Sequence, residues 1–163
     1  MKVIFTWKEI IILNSIVEIV RYPATCKVRN EINKRRKPDQ IVYTVTKHPK
    51  PYYPRTFPSG IHTITEIEWV KKGTKRYEEF GPVIIKTDAI REIFTWDLDR
   101  EGNYWKPTGK TQIDTGYYIH HTHKYLTTYG CIRGGSTESE MIHIAKIIEP
   151  VLENDDIVYL EVL

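Results

Sequence analysis

The sequence predicts a mainly β domain, a sandwich or barrel-like fold with one principal α-helix near the C-terminus. Short runs of β-branched and aromatic residues recur along the chain, turn signals separate them, and one capped stretch of helical periodicity follows residue 137. A length of 163 residues with 40% hydrophobic and 28% charged residues suits one compact core spanning 1–163, and it excludes the apolar-poor composition of disordered chains.

Val3 to Trp7, Glu9 to Leu13 and Ile16 to Tyr22 read as strands, with Asn14-Ser15 as the hairpin turn between the last two. Ile41 to Thr46 reads the same way. Pro49, Pro51, Pro54 and Pro58 then support neither helix nor interior strand, so a surface loop is expected there, ending at Ser59-Gly60. Further strands are expected at Ile61 to Val70, Val83 to Thr87, Ile90 to Trp96 and Tyr117 to His120. Asp97 to Gly116, rich in glycine, threonine and aspartate, reads as a long irregular loop that walls a site with Tyr104 and Trp105. Thr137-Glu138-Ser139-Glu140 has the capping-box form, and Met141, Ile144, Ala145 and Ile148 follow at helical spacing. A helix is therefore expected from about 138 to about 149, ending or kinking at Pro150, with Ile157 to Val162 as a closing strand.

The charge balance, 24 basic against 21 acidic residues, is too even to imply a nucleic-acid partner. The basic run Lys34-Arg35-Arg36-Lys37 reads as a solvated loop. The longest apolar run, Ile10 to Leu13, is four residues, far below the ~20 that cross a bilayer, so no membrane span is expected. Lys8, Glu9 and Glu18 interrupt any signal-peptide pattern. Two cysteines make no disulfide framework in a domain of this size, and Cys26, in a polar, basic stretch, reads as structural or incidental. A monomer is expected.

The chemistry concentrates between Tyr117 and Gly135, YYIHHTHKYLTTYGCIRGG, where His120, His121 and His123 precede Cys131. A free thiol has a pKa of about 8.5, so a nucleophilic cysteine needs a neighbouring imidazole, which His120 supplies from the end of a predicted strand. Gly130 permits a tight turn, and the amides of Gly130 and Cys131 suit an oxyanion hole. Arg133 suits a carboxylate. The alternative within the same residues is a zinc-binding hydrolase using His120, His121, His123 and Cys131, although no usual zinc-ligand spacing is present. No cofactor is expected otherwise. His62 reads as a structural residue on a predicted strand, His143 as solvent-facing on the helix, and His48 as a loop residue.

IHHT followed by TTYGCIRGG resembles the paired motifs of L,D-transpeptidase catalytic domains, an Ile-His-Gly-Thr-like strand end before Ser/Thr-x-Gly-Cys-Ile-Arg. VEIVRYPAT, FPSGIHTIT and NDDIVYLEV resemble that family's early hairpin, its Thr-Pro-x-Gly segment and its final strand, in the family's order. The resemblance implies a Cys131 nucleophile, His120 as general base, the His121 carbonyl orienting His120, and oxyanion amides at Gly130 and Cys131. It implies a substrate site lined by Arg133, Thr128, Tyr129, Tyr118 and His123, acting on peptidoglycan stem peptides through a Cys131 thioester, as an L,D-transpeptidase or an L,D-carboxypeptidase or endopeptidase. The expected place of action is then the cell wall or periplasm. Tyr129 stands where the family often carries histidine, and the short linker from His120 to Thr128 resembles the compact branches of the superfamily. A non-catalytic cell-wall-binding module is the remaining alternative.

Overall fold

The computed structural model describes residues 1–26, 42–44, 56–98, 105–121 and 130–163, with the side chains at all of these except 42–44, 96–98 and 105. Strands β1 (Lys2–Phe5), β2 (Glu9–Asn14) and β3 (Val17–Thr25) form an antiparallel meander. Next come β4 (Val42–Thr44), β5 (Gly60–Trp69), a short helix α1 (Lys75–Phe80) and β6 (Val83–Thr87). The chain continues through β7 (Arg91–Leu98), β8 (Trp105–Asp114), β9 (Tyr118–His120) and β10 (Ile132–Gly134) to the main helix α2 (Glu138–Glu153) and β11 (Val158–Val162). The fold is mainly β with one main helix near the C-terminus, as the sequence predicts.

Eight strands close into a barrel in the order β1-β11-β5-β6-β9-β10-β3-β2, and β4-β7-β8 form a separate three-stranded sheet. Two barrel pairings are parallel, β1 with β11 and β9 with β10. Alternation along each strand sends Val3, Phe5, Ile10, Ile12, Ile64, Ile85, Ile119, Ile132, Val158 and Leu160 into one apolar cluster, and α2 adds Met141, Ile144, Ala145 and Ile148. Each such large side chain contributes about 1.5–3 kcal/mol on burial, so the barrel and α2 stabilise one another. Among the described residues no helix is long and apolar enough to cross a membrane.

Several expectations are corrected. Residues 105–114 of the expected loop form strand β8, paired with β7 from Arg91↔Asp114 to Leu98↔Trp105 across a register shift between Phe94 and Trp96. The threonines and glycine that read as loop signals serve the irregular pairing. Gly109 adopts φ 74, the Thr95 hydroxyl donates to the Lys110 carbonyl at 3.1 Å and meets the Thr108 hydroxyl, and the Thr108 hydroxyl accepts from the Lys110 N–H at 3.1 Å.

Helix α2 runs through Pro150 to Glu153. Pro150 cannot donate to the Lys146 carbonyl, but both residues are exposed, so water can take that carbonyl, while Ile148, Val151 and Leu152 pack on the core. The β2–β3 turn falls at Ser15-Ile16, one residue later than expected, since Asn14 pairs with Val17 and Ser15 adopts φ 57. Neither α1 nor the short β10 was foreseen. Helix α1 is capped by the Thr74 side chain, which accepts from the Tyr77 N–H.

Candidate active site

The parallel β9–β10 pair aligns Ile132 with Ile119 and Arg133 with His120. Ile119 and Ile132 belong to the apolar cluster, so strand alternation turns Tyr118, His120, Cys131 and Arg133 toward the opposite, outer face of the barrel wall. Antiparallel β6 adds Ile84 opposite His120 and Lys86 opposite Tyr118, and β3 adds Thr25 opposite Arg133. Extending the parallel register by one residue sets Cys131 beside Tyr118. Strand spacing then separates the Cα atoms of Cys131 and His120 by about 8 Å on one face, a span that a cysteine and a histidine side chain can bridge.

Gly130 is buried and enters β10 with φ 113, in the region that favours glycine. Its carbonyl accepts from the Cys26 thiol at 3.4 Å, and the Cys26 sulfur accepts the Phe57 N–H at 3.3 Å. Cys26 is therefore structural, as expected, and fixes the turn before Cys131. The Cys131 thiol is 9% exposed and donates to the Gly116 carbonyl at 3.6 Å. Burial pushes this thiol up to about 11, opposed by a hydrogen bond from the Tyr118 backbone and reinforced by Cys26 and Asp114. At pH 7 about one molecule in ten thousand then carries the thiolate.

His120 is 5% exposed, and the ring of Phe80 meets it edge-on at 5.1 Å between centroids. Burial lowers the imidazole to about 4, with His121 and Arg133 adding to the effect and a hydrogen bond to the Phe80 backbone opposing it. Nδ1 is buried with no hydrogen-bond partner among the described residues. The backbone contact that orients the His120 ring therefore comes from Phe80, where the His121 carbonyl was expected. In the resting site the thiol and the imidazole are both neutral, not a preformed thiolate–imidazolium pair.

Phe80 reaches His120 because α1 is held over this rung from several sides. Arg76 forks onto the Glu68 carboxylate, and this contact is the largest of those that hold Glu68 down at about 2. The Arg76 guanidinium lies 5.2 Å from the Phe80 ring centroid, and the Tyr77 hydroxyl donates to Glu138 at 2.8 Å. Sequence reasoning missed Phe80 and this clamp. The only local signal was Thr74 before a short polar run, and the partners lie far apart in the chain.

His121 is fully buried. Its Nδ1 lies 3.2 Å from the Gly134 carbonyl and 3.1 Å from the Gly135 carbonyl, and its Nε2 lies 3.4 Å from Arg133 Nη2. Those partners assign the proton to Nδ1 and make Nε2 the acceptor. The His121 ring is thus held by backbone carbonyls and by Arg133. Among the described residues no group of three His, Cys, Asp or Glu could hold a metal.

Comparison of the chain with family models, curated proteins and solved structures finds no match. The candidate site stands on its own geometry.

Among the other histidines, His62 bonds the Pro58 carbonyl through Nε2 at 2.9 Å and packs on Phe57. His143 is exposed on α2, as expected, with Nδ1 2.7 Å from the Tyr22 hydroxyl. Tyr118 is half-buried on the reacting face. His48, Tyr104, His123, Thr128 and Tyr129 lie outside the described residues.

Proposed function

We propose that the chain is a cysteine acyl-transfer enzyme of the L,D-transpeptidase type, acting on peptidoglycan stem peptides through a Cys131 thioester. The observation that carries this reading is the parallel β9–β10 pairing, which aligns Arg133 with His120 and brings Cys131, one residue before β10, to the same stretch of barrel wall as the buried His120 Nδ1, which has no hydrogen-bond partner among the described residues. The IHHT and TTYGCIRGG segments support the choice of substrate class, and the closed barrel with a C-terminal helix is compatible with that family's β-rich fold.

In the proposed reaction, His120 Nδ1 takes the Cys131 proton as the sulfur attacks an amide carbonyl of the stem. A neutral pair suits this sequence: charge separates as the oxyanion forms, and the amides of the turn at Gly130 and Cys131 receive that oxyanion. His120 then passes the proton to the departing amine, which leaves as a D-amino acid, and the acyl group rests on sulfur as a thioester. An amine or water, deprotonated by His120, attacks the thioester carbonyl, and His120 returns that proton to the Cys131 sulfur as it leaves. The acceptor decides between transpeptidase and hydrolase.

Intact-mass spectrometry after incubation with a carbapenem-type β-lactam tests the nucleophile, and digestion of purified peptidoglycan tests the substrate. One adduct per chain, absent in Cys131→Ser, together with trimmed or cross-linked stems is the expected result. A folded protein that takes no adduct and leaves tetrapeptide stems intact refutes the reading.

A further inference from the structure

The cysteine mechanism uses Cys131, His120 and the turn at Gly130, and it leaves unexplained why His121, a polar side chain with no exposed surface, is buried beside them. A buried histidine stays neutral at little cost only if both ring nitrogens find partners. Here the Nδ1 proton is shared between the carbonyls of Gly134 and Gly135, at 3.2 and 3.1 Å, and Nε2 faces Arg133 Nη2 at 3.4 Å. The imidazole therefore braces the guanidinium against the backbone one and two residues beyond it. That backbone is itself fixed. A Cβ on Gly134 would meet Ile10, Ile119 and Met141 atoms at 3.1 Å each, and the Gly135 N–H donates to the Pro23 carbonyl at 2.8 Å.

Arg133 stands in register with His120 on the reacting face and is half-buried, so its guanidinium is partly stripped of water beside the base. Reading the site as a cysteine acyl-transferase, we infer that His121 is a positioning residue that holds the Arg133 guanidinium in place for a carboxylate carried by the acyl donor next to its reacting carbonyl. A neutral imidazole acceptor braces the guanidinium without cancelling its charge, whereas a carboxylate in the place of His121 would neutralise it. The bracing also limits the rotamer freedom that Arg133 loses on binding, so the effect falls on donor affinity. Arg133 touches the donor; His121 acts only through Arg133.

The test is the rate of Cys131 acylation by a carbapenem carrying its free carboxylate and by the methyl ester of the same compound, followed by intact mass. The wild-type chain should react with the acid about tenfold or more faster than with the ester at low concentration. Arg133→Gln should abolish that preference, so that acid and ester react at equal rates at low concentration. Arg133 is half-buried, so this variant probes the charge without emptying the core. His121→Gln supplies an amide N–H for the carbonyls and an oxygen for Arg133, and should restore most of the preference that His121→Phe loses. A far-ultraviolet spectrum matching the wild type keeps folding out of the comparison.

Equal acylation by acid and ester in the wild type, or His121→Phe lowering both rates by the same factor, overturns the inference while the cysteine mechanism stands. No acylation of the wild type by either compound overturns the cysteine mechanism itself.

Discussion

The two faces of the β9–β10 pair alternate along the same short stretches of chain and serve opposite ends. Inward, Ile119, Ile132 and Gly134 pack against Ile10 and Met141 with no polar atom to satisfy. Outward, His120, Cys131 and Arg133 are also covered, yet they carry groups that burial penalises: a thiol pushed up to about 11 and an imidazole held down at about 4. The difference teaches that this part of the barrel wall divides its labour by side-chain alternation. One face supplies stability, and the other gives some up to keep a sulfur and a nitrogen neutral.

Several substitutions break or sharpen that contrast. The largest effect belongs to the outer face, where Cys131→Ala should lower stem-peptide turnover by about a thousandfold or more, read by product mass, while the urea midpoint moves little. Next is the pH dependence of folding. His120 sits at about 4 in the folded chain and 6.5 in its ordinary state, so between those values the unfolded chain binds a proton that the folded one excludes. Stability is therefore lost as the pH falls from 6.5 to 4, by about 3 kcal/mol for this one group, and urea unfolding of His120→Asn should show a flatter slope in that window. Cys131 mirrors this in alkali, where stability is lost as the pH rises from 9 to about 11.

On the inner face, Gly134→Ala sets a methyl group against three side-chain atoms at 3.1 Å and should cost about 1–3 kcal/mol in the urea midpoint. The smallest effect is expected far from both faces. Ile16, 94% exposed at the β2–β3 turn, packs on nothing, and Ile16→Thr should change stability by less than about 0.5 kcal/mol.

The sequence made the inner face legible and the outer one only in part. The β-branched and aromatic runs in VIF, EIIIL and VYLEV are a local signal, and so is the Thr137 cap, which the structure keeps with the Glu140 N–H donating to the threonine hydroxyl at 3.2 Å. Cys131 and His120 were legible as residue types in a spacing, and the parallel register that sets them on one face was not, because β10 is only three residues long. Strand β8 was misread because threonines and Gly109 at an irregular pairing look like a loop until their partner strand is known. His121 was singled out for its backbone carbonyl, and the role of its ring was not legible. Its burial depends on Gly134 and Gly135 carbonyls that approach only when β10 docks beside β9. The Phe80 clamp on His120 rests on Arg76–Glu68 and Tyr77–Glu138 contacts, which no local pattern announces.

The most direct measurement is the single-turnover rate at which a carbapenem acylates the wild-type chain and His120→Asn at pH 7, with the modified peptide located by mass. A base at Nδ1 that takes the thiol proton during attack predicts the same adduct on Cys131 in both, formed about a hundredfold or more slowly in the variant. Equal rates, or an adduct on any residue other than Cys131, would contradict it.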